Sequence, residues 1–224
     1  MNGTSSATRA WLPCGPSLFV SSPRRILAFS LGLLALTLCD PMSPTQASSA
    51  LPGFTGVLTS PTAFSQAFQS GAAGLAQFQG QTRAFINYGA WETGEVTLSI
   101  AGTELLFHAK YTLLPESPRT PALAIGGTGL LGHDPSVYVV AGGNVRVREG
   151  GPQFRLAGGV ATRGVLPPLF ASAEVRVSPA ATLVAEWAQR FNVGVRVNPT
   201  AQFRVLIGLV RRQAALGISY DIGL

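Results

Sequence analysis

Charge is what this 224-residue chain has least of: only 12% of its residues are charged, where an ordinary soluble domain carries about 25%. The hydrophobic fraction is an ordinary 46% and the mean hydropathy is +0.31. The shortage therefore falls on the side chains that coat a water-facing surface, and a lipid-facing surface becomes a real alternative. Cysteine is equally scarce. Both cysteines, Cys14 and Cys39, lie before residue 50, so the remainder has no disulfide framework. Lys110 is the sole lysine, and the arginines are spread thinly, whereas nucleic-acid binding needs clustered basic residues with stacking aromatics. That partner is excluded. His108 and His133 are the only histidines; no ligand-like spacing surrounds them, so neither a metal nor a cofactor is expected. Neither G-x-S-x-G nor H-E-x-x-H occurs, and no catalytic residue is assigned. The chain reads as a non-enzyme.

No apolar run reaches the ~20 residues of a membrane-spanning helix. The longest, Ile26 to Leu38, follows Pro23-Arg24-Arg25 and precedes the small residues of PTQASSA. A basic start, a short apolar core and small residues before a cut describe a secretory signal. Residues 1–50 are expected to be an N-terminal extension and signal peptide, cleaved near Ala47 or Ala50. Residues 51–224 are expected to form one domain.

What is present from Gly71 onward is alternation. In ELLFHAKYTLL, Leu105, Phe107, Ala109, Tyr111 and Leu113 share one face, while Glu104, His108 and Lys110 share the other with Leu106 and Thr112. A period of two is a strand signal. FASAEVRVSP sets Ala171, Ala173, Val175 and Val177 against Glu174 and Arg176. RFNVGVRVN sets Phe191, Val193, Val195 and Val197 against Arg190, Asn192 and Arg196. AQFRVLIGL and QAALGISYDIGL repeat the pattern, with Arg204 and Asp221 on their polar faces. Only Thr62 to Phe68 is ambiguous. VRVSPAA (Val175 to Ala181) recurs as VRVNPTA (Val195 to Ala201), and a period of about twenty residues suits stacked hairpins of ~9–11-residue strands.

The apolar face continues from strand to strand, while the opposite face carries arginine, glutamate, asparagine and glycine. A membrane barrel places the apolar face outward and the polar face inward. The expected fold is all-β, an antiparallel up-and-down barrel of the outer-membrane type with roughly 10–12 strands. Trp91, Tyr111, Trp187, Tyr220 and Phe203 are candidate interface aromatics. The lumen is expected to be narrow and largely filled by side chains. Glu104, Lys110, Arg155, Glu174, Arg176, Glu186, Arg190, Arg196, Arg204 and Asp221 are the candidate lumen-facing residues, paired as a mixed-sign network.

PALAIGGTGLLG (Pro121 to Gly132) contains G-x-G-x-x-G at Gly127, Gly129 and Gly132. A dinucleotide fingerprint must open a helix. HDPSVYVVAGG follows instead, a proline-containing turn and a β-branched run. The glycines read as a strand end and its turn.

Several motifs in order resemble the YjbH-like outer-membrane β-barrel family linked to exopolysaccharide export. GFTGVLTSPTAF (Gly53 to Phe64) is similar to that family's opening motif. AKYTLLPE (Ala109 to Glu116) is similar to its strand-and-turn segment, and PALAIGGTGLLG followed by SVYVVAGG to its Gly-Thr-Gly turn and Tyr-centred return strand. The chain is shorter than the enterobacterial members and reads as a minimal or single-module relative. The resemblance implies a structural or accessory role in envelope polysaccharide export, with outer-membrane lipid, polysaccharide or export machinery as partners. Two alternatives stand beside it. One is a narrow porin-like or ligand-binding barrel that turns Arg155, Arg176, Arg196 and Arg204 toward anionic solutes. The other is a soluble periplasmic barrel.

Overall fold

The computed structural model describes residues 48–146 and 152–223. Of the extension and signal peptide expected over residues 1–50, residues 1–47 lie outside them. The described residues hold twelve strands: β1 (Ser70–Phe78), β2 (Gln81–Trp91), β3 (Gly94–Ala101), β4 (Glu104–Leu114), β5 (Ala122–Thr128), β6 (Ser136–Arg146), β7 (Gln153–Ala161), β8 (Leu169–Ser178), β9 (Ala181–Trp187), β10 (Phe191–Val197), β11 (Phe203–Val210) and β12 (Gln213–Gly223). Each pairs antiparallel with its neighbours in sequence, and β1 pairs β12 from Ser70↔Gly223 to Gln77↔Leu216. The sheet closes into a barrel with no free edge. Closure is what a lipid-facing sheet requires, since hydrocarbon offers nothing to an unpaired amide.

Alternation along each strand sets the two surfaces. In β4, Leu106, His108, Lys110 and Thr112 are buried, whereas Leu105, Tyr111 and Leu113 are exposed. In β12, Ala215, Gly217 and Ser219 point inward, against Leu216, Ile218 and Tyr220 outside. The outer wall is consequently a continuous field of exposed Leu, Ile, Val and aromatic side chains. The twenty-residue repeat falls on equivalent places: Arg176 lies near the end of β8 and Arg196 near the end of β10, each strand followed by a proline-containing turn.

The barrel has two rims. The terminal rim carries the start of β1, the end of β12 and the β2–β3, β4–β5, β8–β9 and β10–β11 turns; the far rim carries the β1–β2, β3–β4, β5–β6, β7–β8, β9–β10 and β11–β12 turns. Exposed aromatics gather near both. Trp91, Tyr111 and Tyr220 stand at the terminal rim, with Phe203 paired to Tyr220. Trp187 pairs Phe191 at the far rim, where Phe191 is 69% exposed. Aliphatic residues fill the band between.

The G-x-G-x-x-G stretch closes β5 and turns into β6 with no helix. Gly129 holds φ at +67°, a left-handed conformation that strains any residue with a Cβ.

Candidate functional site

The interior is not filled by strand side chains alone. Residues 48–69 contribute no strand to the wall, and residues 48–66 lie buried or half-buried inside it before the chain emerges at Ala67–Gln69. Leu51, Phe54, Thr55, Val57, Leu58, Ser60 and Ala63 are all essentially inaccessible. This corrects the expectation of a narrow, side-chain-filled lumen. Barrel diameter grows with strand number, and about eight strands is the size that side chains fill. Twelve leave room for a further piece of chain.

Composition explains how the segment fits. The segment forms no ladder with the wall, and its prolines lack a donor for one, so its amides need other partners. The segment satisfies part of that need itself, through Leu51 N to Leu58 O at 2.8 Å and Gly56 N to Ser48 O at 2.9 Å. Charged side chains of the wall take the amides of Thr55, Leu58, Thr59, Ser60 and Gln66.

Glu186 on β9 takes the tip of the segment. Its carboxylate accepts the amides of Leu58 (3.3 Å), Thr59 (2.9 Å) and Ser60 (2.7 Å), and the Thr59 hydroxyl as well. Three successive N–H groups aimed at one anion form a nest, here occupied by the protein's own carboxylate. Asn192 on β10 donates to the same group at 3.0 Å. Leu58 itself lies against Gly194 and Gly208, paired across β10 and β11. A Cβ added at those glycines would come within 3.1 Å and 3.3 Å of its side chain.

Lys110 and Glu95 hold the middle. Their side chains stand 3.2 Å apart and are each 1% exposed. Glu95 accepts the Thr55 amide at 3.0 Å and the Gln66 amide at 2.7 Å. Lys110 donates to the carbonyls of Thr55 (3.2 Å), Thr62 (3.1 Å) and Phe64. The ion pair is thus wrapped by segment backbone on both charges, which is how buried ions are kept.

A third group lies on β7, β8 and β10. Glu174 bridges Arg196 at 2.8 Å and Arg155 at 3.6 Å. Arg196 reaches on to the carbonyls of Gly56 and Val57 at 3.1 and 3.2 Å. The Arg155 guanidinium stacks 4.4 Å over the Phe64 ring. Arg204 pairs Asp221 between β11 and β12. Two apolar clusters complete the seat. Leu51, Val57 and Leu58 pack on Phe78, Val184, Leu206 and Val210, and Ala63 packs with Tyr138, Val140, Leu166 and Phe170.

Of the residues singled out from the sequence, Lys110, Arg155, Glu174, Glu186, Arg196 and Arg204 are buried within the barrel. Asp221 and Arg176 are half-buried on inward faces of β12 and β8. Glu104 and Arg190 stand elsewhere. Glu104 begins β4 at the far rim, exposed and 3.4 Å from His133. Arg190 is exposed in the β9–β10 turn. Both have the inward parity of their strands, but strand ends lift them clear of the lumen. Sequence reasoning missed Glu95, Arg83 and Asn87, all buried polar residues, and gave Asn192 the polar face of its strand without a role in the lumen. Their alternation was visible, yet the partner that makes them matter was not.

Among the described residues no group of three His, Cys, Asp or Glu side chains could hold a metal ion. His108 instead lies between Ser99 at 3.1 Å and the Thr128 hydroxyl, edge-on to Phe54.

No protein-family model and no curated protein matches the chain. Among solved structures it is similar to one titled KdgM porin, at a TM-score of 0.48 and 11% identity, covering 69% of this chain and 99% of that one. It is also similar to KdgM porin in complex with disordered oligogalacturonate, at a TM-score of 0.45 and 12% identity, with the same 69% and 99% coverage.

Proposed function

We propose that the chain is a porin-like outer-membrane barrel for small anionic solutes, closed at rest by its own residues 48–69. The outer-membrane placement is supported by the closed sheet, the exposed apolar wall and the aromatics at both rims. The observation that carries the conduit reading is the wall behind the segment. It is polar and charged, whereas a barrel that serves only as an anchor needs neither twelve strands nor ions in its interior. With the segment withdrawn, Arg83, Lys110, Arg155, Arg196 and Arg204 would face the passage against Glu95, Glu174, Glu186 and Asp221. Cations are in excess, and a low-dielectric wall focuses their field.

Of the four arginines first assigned to solutes, Arg155, Arg176, Arg196 and Arg204, two, Arg155 and Arg196, are held at rest by Glu174 and the segment. In this reading they become available only on opening. Solute flux tests it. Proteoliposomes bearing the chain without residues 48–69 should admit glucuronate faster than glucose, and the full chain should admit both slowly. Equal rates for the two sugars would remove the anionic preference.

A structural or accessory role in exopolysaccharide export is the second reading. One observation favours it: the Gly53 to Phe64 motif that carries the YjbH-like resemblance is the stretch seated in the lumen. A folded, segment-free barrel that passes no solute would support this reading over the conduit.

A further inference from the structure

The β11–β12 turn has residues ill suited to its backbone. Arg211 and Arg212 hold φ at 51° and 68°, the paired left-handed conformations that a two-residue hairpin turn requires and that Asn-Gly satisfies without strain. Strain retained at two consecutive arginines points to a use for their side chains. Arg190 lies in the neighbouring β9–β10 turn of the same rim, after Gln189 at a φ of 62°. All three arginines are exposed, and none enters an ion pair among the described residues.

Adjacent strands lie ~4.8 Å apart, so these two hairpins stand about 10 Å apart and guanidinium groups can close on a ligand from both sides. The β11–β12 turn is also joined directly to the start of β10, since the Arg211 amide donates to Asn192 Oδ1 at 2.8 Å. Arg163, exposed in the next turn, extends the basic arc. Of the exposed acids of this rim, Glu104 lies across the barrel beside the β3–β4 turn, and Asp134 lies in the β5–β6 turn, where its carbonyl accepts the Val165 amide of the Arg163 turn at 3.0 Å.

Asn192 connects this corner to the lumen. Its Nδ2 donates to Glu186 at 3.0 Å, and Glu186 holds the amides of Leu58, Thr59 and Ser60. One hydrogen-bonded path therefore runs from the strained turn to the tip of the segment. We propose that Arg190, Arg211 and Arg212 bind a multiply charged anion through phosphate or carboxylate oxygens, and that occupancy loosens residues 58–60 through Asn192 and Glu186. The binding half stands on the rim alone; the coupling half rests on the segment acting as a gate.

Inorganic pyrophosphate is the soluble probe, titrated calorimetrically into the detergent-purified full chain. Phosphatidylglycerol vesicles, with phosphatidylcholine as control, probe a lipid headgroup as the source. Arg190→Gln/Arg211→Gln/Arg212→Gln should weaken binding about a hundredfold, at roughly a factor of five per arginine. Arg211→Asn/Arg212→Gly should raise thermal stability while weakening binding, which separates a lost site from a lost fold. Segment release is read as maleimide labelling of Ser60→Cys, with Cys14 and Cys39 replaced by serine. Pyrophosphate should accelerate labelling, and Asn192→Ala should abolish that acceleration.

Binding of pyrophosphate alone assigns a free anion, and binding of phosphatidylglycerol alone assigns a headgroup. Binding of neither, or equal binding by the triple variant, overturns the site. Intact binding with labelling unmoved by the anion overturns the coupling. Fast labelling without any anion overturns the gate and leaves the anion site standing.

Discussion

Lys110 and Glu95 show why single residues matter so much in this interior. Removing Lys110 by substitution to alanine leaves Glu95 charged, buried and short of its counter-ion, a change that costs about 3–5 kcal/mol. Replacing both, Lys110→Met with Glu95→Gln, should cost less than the sum of the single changes, measured as denaturant midpoints of the heat-modifiable form. Strict additivity would show that the two charges do not form one unit. Glu186→Gln tests the segment tip. It keeps the shape but weakens the hydrogen bonds from Leu58, Thr59 and Ser60, with an expected loss of about 2 kcal/mol. Gly129→Ala, at a φ of +67°, should cost about 1–2 kcal/mol; unchanged stability would remove the turn from the account.

Elements were far more legible in the sequence than their contents. The alternation of ELLFHAKYTLL fixed which face of β4 is buried, because a strand's side-chain period of two is independent of its partners. The lumen segment has no such period. GFTGVLTSPTAF is apolar without alternating, and its partners lie as far away as Glu186 and Arg196, more than 120 residues along the chain. Local pattern cannot encode contacts of that range. The ambiguity at Thr62 to Phe68 was the one trace of it. Glu104 and Arg190 show the same limit from the other side, since parity assigns a face but not a height along the barrel. At this scale, deleting residues 48–69 should leave a closed barrel, because every strand ladder lies outside the segment. Band migration that still shifts on boiling is the expected result. Its loss would show that the segment is needed to assemble the wall.

The whole molecule reverses the usual placement of apolar surface. Its exposed face carries residues such as Leu75, Ile86, Trp91, Leu131 and Phe191, while Glu95, Lys110, Arg155, Glu174, Glu186, Arg196 and Arg204 lie inside. Exposed apolar patches beyond a few hundred Å² mark an interaction surface, and a wall of this kind all round a closed sheet fits lipid. The chain should therefore fractionate with the outer membrane and require detergent for extraction. Release into buffer alone would support the soluble periplasmic alternative. The scarcity of charge noted first in the sequence acquires its explanation here: among the described residues, buried charges line the lumen, exposed ones sit in turns and at strand ends, and the wall between the rims carries none.

Single-channel recording in planar bilayers tests the closed-conduit claim most directly, comparing the full chain with the chain lacking residues 48–69. The full chain should be closed for most of the record, and the shortened one should carry a sustained current that prefers anions. Equal currents from the two, or no current from a shortened chain whose band still shifts on boiling, would contradict the account.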